Sequence, residues 1–80
     1  MQKLELTNCT SKPLKVHVEI NPDLYVLQPE DVMVIEGGIE PGQPYFAVNV
    51  CEDGIQVYPP LWPRVSINGN DAKPVSEPVR

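Results

Sequence analysis

An 80-residue chain with a net charge of −5 and 41% hydrophobic residues supports one domain around one small core, and it excludes wholesale disorder. Ten prolines, spread from Pro13 to Pro78, exclude long helices. Between Lys15 and Arg64 there is no lysine or arginine but eight acids, so direct binding to nucleic acid or to an anionic membrane is not expected, because phosphates need cations.

Period-two alternation predicts a strand at Leu4 and Leu6, which alternate with Lys3 and Glu5. A polar turn follows, from Asn8 to Pro13. Leu14, Val16, Val18 and Ile20 then alternate with Lys15, His17 and Glu19, the pattern of a strand with one aliphatic and one polar face. Asn21-Pro22-Asp23 predicts a turn, Leu24 to Leu27 a short strand, and Gln28-Pro29-Glu30-Asp31 another turn. Val32 to Glu36 is apolar on both faces, as a central or covered strand would be. Gly37 to Pro44 reads as a loop.

Asp53-Gly54 is read as a two-residue type I′ turn. That pairs Glu52 with Ile55, Cys51 with Gln56, Val50 with Val57 and Asn49 with Tyr58. Phe46, Val48, Val50, Ile55 and Val57 then share one face, and Tyr45, Ala47, Asn49, Cys51, Gln56 and Tyr58 share the other. Pro59-Pro60 ends the pairing, Leu61-Trp62-Pro63 crosses over, and Arg64 to Ile67 forms a last strand before a turn at Asn68-Gly69-Asn70.

Six or seven short strands at spacings near ten residues predict an all-β fold, a small antiparallel β-sandwich or flattened barrel. The expected domain spans residues 1–70, with residues 71–80 as a flexible tail. The expected core is Leu4, Leu6, Leu14, Val16, Val18, Ile20, Val34, Phe46, Val48, Val50, Ile55, Val57, Val65 and Ile67.

The succession KLELTNCTSKPLKVHVE, YVLQPEDVMVIEG and CEDGIQVYPPLWP resembles small uncharacterised β-sandwich proteins encoded in bacterial and phage genomes. The shared order is a strand ending in an Asn-rich turn, a KPL strand, a proline-and-acid turn before a valine-rich strand, and a DGI-x-V hairpin. It spans about residues 3 to 67. The turn Gln28-Pro29-Glu30-Asp31 lacks the glycine that pattern carries. The resemblance implies the fold and no activity.

No motif identifies a reaction. His17 is the single histidine and lies on a polar strand face, so no histidine cluster can hold a metal. Cys9 and Cys51 lack CxxC spacing, and no histidine neighbours them in sequence. No basic-plus-apolar leader opens the chain and no apolar run reaches the roughly 18 residues that span a bilayer, so a cytoplasmic protein with reduced thiols is expected. Asn8-Cys9-Thr10 matches the glycosylation pattern, which has no use without secretion. No catalytic, cofactor-binding or metal-binding residue is assigned, and no enzyme activity is expected.

The candidate interaction residues are the acidic turn pairs Glu30-Asp31 and Glu52-Asp53 and the aromatics Tyr45, Tyr58 and Trp62. Solvated turn carboxylates suit a basic partner, and rigid aromatics anchor interfaces. The expected function is therefore a non-enzymatic protein-interaction module of bacterial or phage origin. Its partner would be a protein, basic in character, or a second copy met through an edge strand. One version is an inhibitor that offers carboxylates where a nucleic-acid-binding protein expects phosphates. The alternatives are a small carbohydrate- or ligand-binding module, with Tyr58 and Trp62 stacking on the ligand, and a structural or decoration subunit.

Overall fold

Among the described residues eight strands follow one another: β1 (Gln2–Thr7), β2 (Leu14–Val18), β3 (Asp23–Leu27), β4 (Val32–Gly37), β5 (Ala47–Cys51), β6 (Gly54–Tyr58), β7 (Arg64–Ile67) and β8 (Asn70–Asp71). The computed structural model describes residues 2–19, 23–37, 46–59 and 63–75, and the expected core residue Ile20 lies outside them. The strands form two four-stranded sheets, in the orders β1-β4-β7-β8 and β3-β2-β6-β5. Every pairing is antiparallel except β2 with β6, which run parallel.

The alternation seen in the sequence becomes the pleat of these strands. In the first sheet Leu4 lies opposite Ile35 and Leu6 opposite Met33, while Ile35 and Met33 also meet Val65 and Ile67. In the second sheet Val16 is opposite Tyr25 and Ile55, and Leu14 is opposite Leu27. The buried core is Val16, Val18, Tyr25, Leu27, Met33, Ile35, Val57 and Val65. Leu4, Leu6, Leu14, Phe46, Ile55, Ile67 and Ala72 pack against it. Burial raises the Tyr25 phenol above its usual pKa, and the nearby Asp23 carboxylate adds to the effect.

Three expectations about the core need correction. Val34 points away from it, because Met33 and Ile35 take the inward positions of β4 and are fully buried. In a strand apolar on both faces, sequence alone does not choose between the two pleat parities. Val48 and Val50 share the face of Val57 and Ile55, but they are 40% and 85% exposed. They lie on β5, the last strand of its sheet, where the opposite sheet does not cover them. Tyr25, Leu27 and Met33 complete the core in their place.

The β5–β6 hairpin also differs in register from the expected one. Cys51 pairs with Gly54, Val50 with Ile55, Asn49 with Gln56 and Val48 with Val57, so the two-residue turn is Glu52-Asp53. Displacing the turn by one residue shifts each strand's partner by two, so the same residues share each face. The positive-φ two-residue turn lies instead at Asn68-Gly69, with φ of 53° and 84°, between Ile67 and Asn70. Past the expected boundary at residue 70, Ala72 donates its N–H to the Val65 carbonyl and Val75 donates to the Leu24 carbonyl at 2.7 Å.

Gln28-Pro29-Glu30-Asp31 closes with the Asp31 N–H on the Gln28 carbonyl at 3.0 Å, and Glu30 has φ of 72°. This is a type II turn with a side chain where glycine is preferred. Glu30→Gly is expected to stabilise the domain by about 0.5–1 kcal/mol, because relief of left-handed strain exceeds the added unfolded-state entropy. The check is the urea midpoint, which should rise at constant m-value. A lower midpoint would show that the Glu30 side chain contributes more than its strain costs.

Candidate partner-binding surface

One end of the sandwich is organised by Asn8, the residue after β1 and 1% exposed. Its Nδ2 donates to the Lys12 carbonyl at 2.8 Å and to the Leu27 carbonyl at 2.9 Å. Its Oδ1 accepts from the Thr10 N–H at 2.9 Å and from Thr10 Oγ1 at 2.7 Å. All four hydrogen-bonding positions of the amide are filled. Its own backbone donates to the Asp31 carbonyl and accepts from the Glu30 N–H. One side chain at the end of a strand of the first sheet thus binds β3 of the second sheet and the loop that joins the two. Asn8 also opens the Asn8-Cys9-Thr10 glycosylation pattern. The bonds to Thr10 and Lys12 are local, and the bond that spans the sheets, to Leu27 19 residues away, has no local signal.

The same end gathers the candidate acids. Asp31 accepts from the Gln28 N–H at 2.9 Å and from Asn68 Nδ2 at 2.8 Å, while Asn68 Oδ1 accepts from the Val32 N–H at 2.9 Å. The Asp31 carboxylate is therefore engaged within the fold, tying the β3–β4 turn to the β7–β8 turn. Glu30, Glu52 and Asp53 are exposed. Between the β1–β2 loop and the β5–β6 hairpin lies a cleft of about 370 Å³, lined by Thr7, Cys9, Leu14, Val50, Glu52 and Ile55 among others. Cys9 and Cys51 are exposed free thiols at this cleft.

Tyr58 does not join the acids. Tyr58 is 37% exposed and points outward from the far end of β6, opposite Ala47. The length of the strand sets it about 13 Å from Gly54 and the acidic turn. Tyr45 and Trp62 lie outside the described residues. The outward face of the second sheet is mixed, with Leu24 and Val26 of β3 opposite His17 and Lys15, and polar residues toward β6 and β5. Gln56 accepts from Asn49 Nδ2 at 3.5 Å and donates to Glu19 Oε2 at 3.4 Å, and His17 lies half-buried beside it. Among the described residues, no group of three or more His, Cys, Asp or Glu side chains is placed to hold a metal ion. No helix among them is long and apolar enough to cross a membrane.

The four sheet edges differ. β1 carries Lys3 and Glu5 on its exposed face, and Lys3 pairs with Glu36 at 3.3 Å. β3 receives the Val75 N–H, and β8 is two residues long. β5, with the sequence AVNVC, is the edge without a charge. Edge strands are usually protected by charge, shortness or cover. Cys51 and Gly54 flank a two-residue turn and so exchange both backbone hydrogen bonds. By alternation Asn49 turns its N–H and C=O toward β6, while Val48 and Val50 turn theirs to the open edge.

Compared with protein-family models, curated proteins and solved structures, the chain matches none.

Proposed function

We propose that this chain is a non-enzymatic protein-interaction module that binds a basic protein partner at the β5 end of the sandwich. The observation that carries the reading is Val50, 85% exposed on an uncharged edge strand and two residues from Glu52-Asp53. An apolar side chain so placed is a typical interface element, and the neighbouring carboxylates favour a cationic partner and steer its approach. The absence of lysine and arginine between Lys15 and Arg64 leaves that steering unopposed along the middle of the sequence. A cytoplasmic setting and a bacterial or phage origin belong to the same proposal and rest on the sequence alone.

The test uses immobilised wild-type chain and the double variant Glu52→Lys/Asp53→Lys, each exposed to a bacterial lysate at low and high salt. Both positions are exposed turn residues, so the variant is expected to fold. Wild type is expected to retain basic proteins at low salt and release them at high salt, and the variant to lose them at both. An identical retained set on both chains would refute the reading.

A further inference from the structure

Resting on that reading, we infer that the partner docks as an added β-strand along β5: an extended, basic, alternating segment of another protein. Three features of the edge specify such an occupant. The backbone N–H and C=O groups of Val48 and Val50 face outward, in the spacing that a further strand completes. The side chains of Val48 and Val50 lie on the core-facing side of the sheet, beyond the cover of the opposite sheet, with Val50 lining the cleft beside Leu14 and Ile55. Every second side chain of an added strand extends this apolar floor. The remaining side chains alternate to the other face, the one that carries Asn49 and Cys51, and the Glu52-Asp53 turn stands at the end of the strand. Lysine or arginine in the added strand is drawn to the exposed carboxylates of that turn, of which Glu52 stands at the cleft beside Val50.

Charge complementarity selects this occupant over a second copy of the chain. A β5–β5 pairing would bring together two chains of net charge −5 along a strand with no cation of its own. The other edges offer less, since β1 is charged, β3 is touched by Val75 and β8 spans two residues.

The probe is a capped six-residue peptide of alternating lysine and valine, titrated into the isotope-labelled chain and followed by backbone amide NMR. One control alternates glutamate and valine, and another is the lysine–valine peptide with alternate backbone nitrogens methylated. The lysine–valine peptide is expected to shift the Val48 and Val50 amides. Methylation, glutamate in place of lysine, and Val50→Lys in the chain are each expected to weaken binding about tenfold or more. Equal binding of the methylated or the glutamate peptide overturns strand addition, as do shifts that map away from β5. Sedimentation that shows a dimer with Val48 and Val50 already protected overturns it in favour of a second copy. Failure of the peptide alongside charge-dependent lysate capture would remove strand addition while leaving the acidic-surface reading in place. Failure of both would remove the two together.

Discussion

Asn8→Ala is expected to destabilise the domain by roughly 3 kcal/mol and to lower the melting temperature by about 12–20 °C. The amide is buried and saturated, so its loss strands the buried Leu27 carbonyl and frees the Thr10 N–H, while the Lys12 carbonyl keeps the Thr10 hydroxyl as a donor. Each orphaned buried group costs about 1–3 kcal/mol, and water entering the gap recovers part of the sum. The total stability of an 80-residue domain is on the order of 4–12 kcal/mol, so the loss is a large fraction of it. Asn8→Asp separates donor loss from volume loss. It keeps the oxygen that accepts from Thr10 but turns a second oxygen toward two carbonyls. It should be at least as damaging at neutral pH. Its folded-state pKa is raised by burial and by those carbonyls, so the native state binds the proton more tightly. Stability is then greatest below the unfolded carboxyl value and falls as pH rises through the folded one. Thermal melts of the three chains across that range decide the matter. An alanine variant within 1 kcal/mol of wild type would mean that Asn8 does not hold the sheets together.

Gly54→Ala is expected to cost about 2–4 kcal/mol, because the backbone around it has no room to give. Gly54 has φ of +142°, and a Cβ there would lie 2.3 Å from the Lys15 carbonyl oxygen. That oxygen belongs to β2, which pairs with β6 in the next residues along, Val16 with Ile55. Relief of the clash must part the two strands and move the hairpin that carries β5. Gly69→Ala is the natural control. Gly69 also has positive φ, +84°, but a Cβ there meets nothing within 4 Å. Its expected cost is about 1 kcal/mol, the conformational penalty alone. Unfolding free energies of the two variants from urea denaturation should therefore differ by about 1–3 kcal/mol, and equal losses would refute the close approach at Gly54.

These two residues also show where sequence reading succeeds and where it stops. Alternation reports which side chains share a face, and in β1, β2, β6 and β7 that was enough to place Leu4, Val16, Val57 and Val65. It does not report how far one sheet extends over the other, so the hydrophobic face of β5 was read as core when Val50 is open to solvent. In β4 both faces are apolar, and the choice between Val34 and Ile35 is settled only by the pairing with β1 and β7. Asp-Gly and Asn-Gly give the same hairpin signal. Only Asn68 adopts the left-handed conformation that the mirror-image turn needs, whereas glycine at position 54 answers to the approach of β2. Asn8 was the least legible. Its bonds to Thr10 and Lys12 are local to the turn, but the one that reaches the other sheet goes to a backbone carbonyl 19 residues away, which no pattern of side-chain types records. Of the candidate site, the acidic turns were read correctly as surface, except that the Asp31 carboxylate is taken up by Gln28 and Asn68. The exposed valines of β5 were legible as a strand and not as a surface.

The most direct measurement is residue-resolved amide hydrogen exchange along β5, in the free chain and with the lysine–valine peptide bound. The free chain should show alternation, with slow exchange at Asn49, whose N–H is held by β6, and fast exchange at Val48 and Val50, and the bound chain should show all three slow. Uniform protection of Val48, Asn49 and Val50 before any peptide is added would mean that the edge is already covered, and would contradict it.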